Sequence, residues 1–488
     1  MSAVLDAIAR FAKSQPDTVA LTDGEHSLTY GALMLAIADA ARTLQSQCAG
    51  TQPVGSLMDN SLAWVVVDLA LIQLGRTHVP LPPFFSQAQL QHALATAGAG
   101  HLVFSAVPEP VTAHLAGSAL AIKSLPIAVA PLPAGTAKVT YTSGSTGTPK
   151  GVCLSQAMLE ETAGAICEVV GAEHARLHVA LLPLAVLLEN VAGLYAVMLA
   201  GGTYACPGLT ALGFAKPFAP DFTQLAGALR QWKASSAILV PELLRGLVAT
   251  LAATRQTLPE LEFLAVGGAS VSPHLLTQAS ALGLPVHEGY GLSEAGSVVT
   301  LNRPGKAKPG TAGPFLPHVS AHVAADGELI ISHPVFLGYA GGSAAPALLA
   351  TGDTVKVDPH GHVAIRGRKS NLIVTGFGRN VSPEWVEREM LAQPAIRQAI
   401  VYGDGSSSLS ALVVPMTPET TEAHINAAIA SANVNLPEYA AVKSWRLASP
   451  FTPQNGQLTA NGRPCRRAIH AAYGISHASR DMTEETMA

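Results

Sequence analysis

Short apolar runs alternate along the chain with longer stretches in which apolar residues return every three or four positions. SSAILVP, LEFLAVGG and LPVHEGYG are short, lack a polar face and end at Gly or Pro, as buried strands do. WVVVDLALIQLG reads as a helix entered from a turn at Asp59-Asn60 and closed by Gly75 in the C′ place. THVPLPP, which follows, reads as a short strand running into a turn. Strands alternating with helices predict α/β layers with largely parallel sheets, and ligands of such sheets bind beyond the carboxyl ends of the strands.

After about residue 320 the period shortens to two. GELIISH, VKVDPHGHVAIRGR and NLIVTGFGRNV are alternating strands joined by Gly, Asp and Pro turns, as in a small antiparallel sheet. SPEWVEREMLAQP then opens a helix, with Ser382 as N-cap, Pro383 at N1 and acids in the first turn. The change of pattern predicts a domain of residues 1–367, a hinge at 368–371 and a second domain from 372 to 488, packed to about Tyr473 with a frayed tail.

At 488 residues the chain exceeds a single small module, and its 13% charged and 49% hydrophobic composition excludes a disordered protein. Its net charge of −4, without a run of one sign, argues against nucleic acid as a main partner. Cys48, Cys153, Cys167, Cys206 and Cys465 form no C-x-x-C pair and read as buried, reduced thiols of a cytoplasmic protein. The start, MSAVLDAIARFAKSQPD, has the charges of a helix rather than the core of a signal peptide. The apolar stretch from His178 to Tyr204 is broken by Pro183, Glu189, Asn190 and Gly201-Gly202, so a buried strand, loop and helix are expected there rather than a membrane span. So apolar a composition is still compatible with peripheral membrane contact. The 17 histidines read as surface or turn residues without metal-ligand spacing.

The most informative run is VTYTSGSTGTPKGVCLS, Val139 to Ser155, where an apolar strand gives way to hydroxyls and glycines and then to Lys150. Glycines let backbone N–H groups converge on an anion, Ser and Thr add donors, and the lysine adds a full charge, so the loop suits phosphates. Its order is not that of a P-loop, because Pro149 precedes Lys150 and Gly151 follows it.

TYTSGSTGTPKGV resembles the phosphate loop of the adenylate-forming superfamily, which includes acyl-CoA and aryl-CoA ligases, nonribosomal adenylation domains and luciferases. HSLTYGAL, LLPLAVLLEN (similar to LPLAHxxER), HEGYGLSEAGSVV and LLATGDTVKVDPHGHVAIRGRKSNLIVTGFGRNVSPEWVE resemble its other motifs in the right order. The resemblance implies a large N-terminal domain of stacked mixed sheets with helices and a small mobile C-terminal α+β domain, most like acyl-CoA synthetases. It further implies ATP and Mg2+, with CoA or a carrier-protein phosphopantetheine as acceptor. Thr142, Ser143, Gly144, Ser145, Thr146, Gly147, Thr148 and Lys150 would then face the phosphates, with Ser293. Gly268, Ala269, Glu288, Gly289, Tyr290 and Gly291 would lie about the adenine, Asp353 and Arg368 at the ribose, and Glu294 on the metal. Arg463, Thr142 and Glu294 would carry the chemistry.

Three departures from the family pattern bear on the expected chemistry. Val186 stands where LPLAHxxER has its histidine, which suggests an apolar acyl-side wall, while Glu189 stays at its matching place. Ser370 occupies the hinge position that is commonly Asp or Lys. Arg463 stands at the place of the catalytic lysine, keeping the charge but as a planar fork, between the Asn461-Gly462 turn and Pro464.

The expected function is ATP-dependent activation of a fatty or aryl acid to an acyl-adenylate, then transfer to a thiol such as CoA. The alternatives are an impaired nucleotide- or acyl-binding homologue, delivery to a carrier protein or hydroxyl, and a serine hydrolase. The last rests on G-L-S-E-A, which approaches the G-x-S-x-G elbow but lacks its final glycine.

Overall fold

The computed structural model describes residues 2–105, 110–126, 132–142, 149–215, 220–342, 344–459 and 462–475. Two eight-stranded mixed sheets form the frame of the larger part. In the first, six central strands run parallel in the order Val286–Tyr290, Phe263–Val266, Ser236–Leu239, Leu177–Val179, Thr203–Ala205 and Val19–Thr22. Thr300–Leu301 and Ser27–Thr29 flank them antiparallel. The second sheet has a parallel centre of Lys138–Thr142, His78–Pro80, Val54–Leu57 and His101–Ser105.

The helix Leu62–Gln73 explains how the sheets stack. Its apolar residues run all round it, a pattern that only burial on every side can satisfy. It packs in one core with Leu21 and Tyr204 of the first sheet and Val54, Val103 and Leu154 of the second. Helices Phe222–Trp232, Pro241–Thr254 and Pro273–Ala281 cover the far face of the first sheet, against Ala237, Leu239, Leu264 and Val266. Strand alternation leaves His178, Ser236, Phe263 and Ala265 on the opposite face. In the second sheet Val139 and Tyr141 point outward against Ala93, so Lys138, Thr140 and Thr142 point the other way.

An antiparallel sheet follows, of Ser320–Val323, Glu328–His333, Leu349–Val357 and Val363–Arg368. Past the short turn Lys369–Asn371, the strands Ile396–Tyr402, Leu409–Pro415 and Val442–Leu447 form a separate sheet. Helices Pro383–Leu391 and Glu422–Val434 pack on it around Val386, Met390, Val401 and Ile425. Ser382 caps the first of these helices, accepting from Trp385 N, with Pro383 in its first turn. Arg245, on Pro241–Thr254, reaches across to the end of that helix and donates to the main-chain carbonyls of Leu391 (3.0 Å), Ile396 (3.3 Å) and Arg397 (3.1 Å).

The apolar stretch after His178 is strand Leu177–Val179, a loop, a π-helical turn Glu189–Tyr195 running into helix Ala196–Ala200, and strand Thr203–Ala205. Among the described residues no helix is long and apolar enough to cross a membrane. Two expectations need correction. His78, His101, His178, His287 and His470 are buried rather than superficial, the first and third because buried carboxylates take their ring nitrogens. Cys167 and Cys465 are only half-buried, because both line the central cleft.

Two glycines separate steric need from habit. A Cβ on Gly202 would lie 1.8 Å from the Ala175 carbonyl oxygen, which is fixed backbone, whereas a Cβ on Gly227, inside a helix, would meet nothing within 4 Å. Gly202→Ala is expected to destabilise the protein by about 2–4 kcal/mol, and Gly227→Ala to stabilise it by up to about 1 kcal/mol. Urea unfolding of the two variants checks both signs.

Candidate active site

The carboxyl ends of Ser236–Leu239, Phe263–Val266 and Val286–Tyr290 open into a cleft of about 2910 Å³, roofed by residues after Arg368. At one side Asp353, on Leu349–Val357, is buried. It accepts from the Tyr290 hydroxyl (2.8 Å) and from Arg368 Nε (2.9 Å), its register partner on the next strand. Burial raises the Asp353 carboxyl, and Arg368 and Tyr290 draw it back toward the charged form. A cleft-lining carboxylate held in mid-strand between a phenol and a guanidinium suits a pair of sugar hydroxyls.

Further along the cleft, Glu294 Oε1 accepts from the Tyr339 hydroxyl (3.0 Å), and Lys150 Nζ lies 5.5 Å above the Tyr339 ring. Lys150 and Glu294 therefore share one aromatic side chain as a neighbour, although 144 positions separate them (294 − 150). Lys150 opens a strand paired with Lys138–Thr142, and its register partner Thr142 also lines the cleft. The Pro149 carbonyl beside it accepts from His92 Nε2 at 3.0 Å when that nitrogen carries the proton. Ser143, Gly144, Ser145, Thr146, Gly147 and Thr148 lie outside the described residues. Ser293 starts the short turn Ser293–Ala295 on the cleft wall. Gly291 is a steric requirement there, since a Cβ would fall 1.6 Å from the Ser297 carbonyl oxygen.

Arg463 enters from the roof. Its main-chain carbonyl accepts from Thr459 N (2.8 Å), Leu458 bridges Pro464, and Gly462 has the left-handed φ of +77° that such a tip needs. Its guanidinium donates to the Gly268 carbonyl at 3.2 Å, so the tip meets the strand end that carries Gly268 and Ala269. Enclosure by the cleft walls, and then the Arg368 charge, draw Arg463 below its ordinary value, while Asp353 and Glu294 oppose this. It remains a cation. Arg466, three residues on, has a different task, a paired contact with the buried Glu387 (2.7 Å for Nη1 to Oε1) that anchors the tip.

Residues 8–340 match the family model of the AMP-binding enzyme, and residues 370–476 match that of the AMP-binding enzyme C-terminal domain. The chain belongs to the AMP-binding enzyme family. This AMP-binding enzyme is 32% identical, over 235 residues, to the long-chain-fatty-acid–CoA ligase FadD15 of Mycobacterium bovis, a match covering 42% of the chain and 39% of the relative. The chain thus spans about two-fifths of that relative's length. It is 29% identical over 427 residues to a feruloyl-CoA synthase of an Amycolatopsis species, covering 81% of the chain and 84% of the relative. Its fold superposes on the anthranilate CoA ligase AuaEII in complex with anthranoyl-AMP with a TM-score of 0.80, at 19% identity and 97% coverage of each chain.

Two features of the AMP-binding enzyme escaped the sequence reading. Glu189 does not face the cleft. Fully buried, it accepts from Tyr204 (2.9 Å) and Leu182 N (3.3 Å) and pairs with His178 Nε2 (3.0 Å). The signal available was a carboxylate set in a long apolar run, which must find a partner. Glu288 is likewise buried, with Oε2 accepting from Gly310 N at 3.3 Å. Gly289, between it and Tyr290, lines the cleft, as does Val186.

Burial raises the Glu288 carboxyl to about 7. The folded state therefore holds a proton that the unfolded chain releases near pH 4.5, so this group's stabilisation is complete below that pH and is lost as pH rises through about 7. Glu288→Gln keeps an acceptor and removes the titration. It is expected to add up to about 3 kcal/mol at pH 8 and little at pH 4. Thermal unfolding across that range checks the difference.

Proposed function

We propose that the protein activates a fatty or aryl carboxylic acid with ATP and passes the acyl group to the thiol of CoA. The observation that carries this reading is the convergence of Lys150, Glu294, Tyr290, Asp353, Arg368 and Arg463, drawn from both ends of the chain, on one cleft. Kinship with a fatty-acid–CoA ligase and a feruloyl-CoA synthase supports the acid class and the acceptor.

A carboxylate oxygen attacks the α-phosphorus of ATP, forming a P–O bond as the bridge to the β-phosphate breaks and pyrophosphate leaves. Arg463 offsets the negative charge gathered by carboxylate and α-phosphate, and the loop ending at Lys150 holds the departing pyrophosphate. Asp353, kept in place by Tyr290 and Arg368, orients the ribose. Glu294 fits Mg2+ because it offers hard carboxylate oxygens on the cleft wall, and among the described residues only one of those two side-chain oxygens accepts a hydrogen bond, from Tyr339. When bound, the ion supplies charge neutralisation at the phosphates. In the second step the sulfur of the acceptor attacks the acyl carbon and AMP departs. The turn 368–371 is taken as the hinge for the roof. The acyl cavity runs between Ile166 and Val170 on one helix, Ala192 and Ala196 on another, and Phe263 and Ala265 on the sheet, an apolar lining that supports a greasy acid. Five unpaired thiols support a reducing, cytoplasmic setting.

Exchange of labelled pyrophosphate into ATP, run with a panel of straight-chain and aryl acids, is expected to show acid-dependent turnover. Its absence for every acid leaves a binding homologue. Arg463→Ala is expected to slow that exchange about 100-fold or more, and Arg463→Lys, which keeps the charge, to retain more activity than Ala. Product analysis with CoA and with a phosphopantetheinylated carrier protein, supplied separately, is expected to give thioester from CoA.

A further inference from the structure

Between the two sheets lies an ionic cluster that the reaction does not use. Asp68, on Leu62–Gln73, is fully buried. Its Oδ1 meets Lys138 Nζ at 2.8 Å and His78 Nδ1 at 2.5 Å. Lys138 and His78 are register partners on adjacent parallel strands, and Ser56 holds the other His78 nitrogen at 2.7 Å. Burial by itself would raise the Asp68 carboxyl, but the Lys138 charge and the His78 contact outweigh it and hold the group well below the usual carboxylate range.

The remaining partners come from the π turn Glu189–Tyr195. Asp68 Oδ2 accepts from Asn190 Nδ2 (3.2 Å) and from the Tyr195 hydroxyl (2.7 Å). Lys138 Nζ donates to the side-chain oxygens of the same two residues, that of Tyr195 at 2.9 Å. Asn190 and Tyr195 are five positions apart. An α-helix turns about 100° per residue, which would set them about 140° apart and out of common reach. A π turn closes i→i+5 and brings such residues to one side. The turn is pinned on its other flank as well, where Glu189 is held by His178 and Tyr204. Ala192, between the pins, and Ala196, just beyond Tyr195, line the cavity.

We propose that Lys138 and Asp68 clamp this segment in its π turn and so determine which side chains wall the acyl cavity. Lys138 is then a positioning residue for acid selectivity. Asn190 stands where the LPLAHxxER pattern has arginine, and the cation comes instead from the strand through Lys138. Without the clamp the segment relaxes to an α turn, and Ala196 rotates about the helix axis relative to Leu188. The cavity then exchanges alanine for a bulkier neighbour such as Leu199, which does not line it now, and this narrows it against long acids.

The inference rests on the acid-activating reading, and the test separates the two. Acid-dependent pyrophosphate exchange is measured with hexanoate and palmitate for the wild type, Lys138→Met, Tyr195→Phe and Lys138→Met/Asn190→Arg. Lys138→Met is expected to lower the palmitate-to-hexanoate ratio of kcat/KM by about tenfold with the KM for ATP unchanged. Tyr195→Phe moves the ratio the same way by less, and adding Asn190→Arg restores it. A ratio that stays constant in both single variants, with both acids slowed equally, overturns the clamp. If Lys138→Met does not fold, the Tyr195→Phe ratio decides. If the wild type turns over neither acid nor any in the wider panel, the functional reading fails instead. The clamp is then decided by a crystal structure of Tyr195→Phe or Lys138→Met, in which a π turn retained in every folded variant overturns it.

Discussion

Asp68 is a carboxylate with no route to water, and an uncompensated buried charge costs several kcal/mol. Its compensation is assembled from four segments: Leu62–Gln73, which carries it, the strands of His78 and Lys138, and the turn of Asn190 and Tyr195. None can take its place alone. The layered frame and the apolar wall of the cleft are therefore conditions for one another, because the ammonium that neutralises the central helix also grips that wall.

The strand Lys138–Thr142 shows how one element serves both ends of this arrangement. Its odd-numbered residues Val139 and Tyr141 seal the outer layer against Ala93, while its even-numbered residues point inward, Lys138 to the buried cluster and Thr142 to the cleft. The two-residue repeat of a strand thus runs from the structural core to the cleft within five positions.

Much of the fold was legible because its signals are local. The parallel strands announced themselves as apolar runs ending in Gly or Pro, and Ser382-Pro383 marked the start of its helix. Asp353, Tyr290, Glu294 and Arg463 were legible as motif positions, but their contacts were not. The hydrogen bond from Arg463 to Gly268 joins residues 195 positions apart. The π turn and the partners of Glu189 were hidden for the same reason. A period of 3.6 is the default reading of such a stretch, and what overrides it is two residues answering to one distant carboxylate. His78 and His178 were misread because a histidine's partner, unlike an aliphatic side chain's burial, leaves no trace in the neighbouring sequence.

The contact made by Arg245 engages the roof through its backbone alone. Every group it touches across the interface is a main-chain carbonyl, at Leu391, Ile396 and Arg397. Carbonyls are common to all residue types, so this contact constrains the path of the roof's backbone without reading those three side chains, and Ile396 answers only to the core of its own sheet. The selective burden of that contact falls on the guanidinium that makes it.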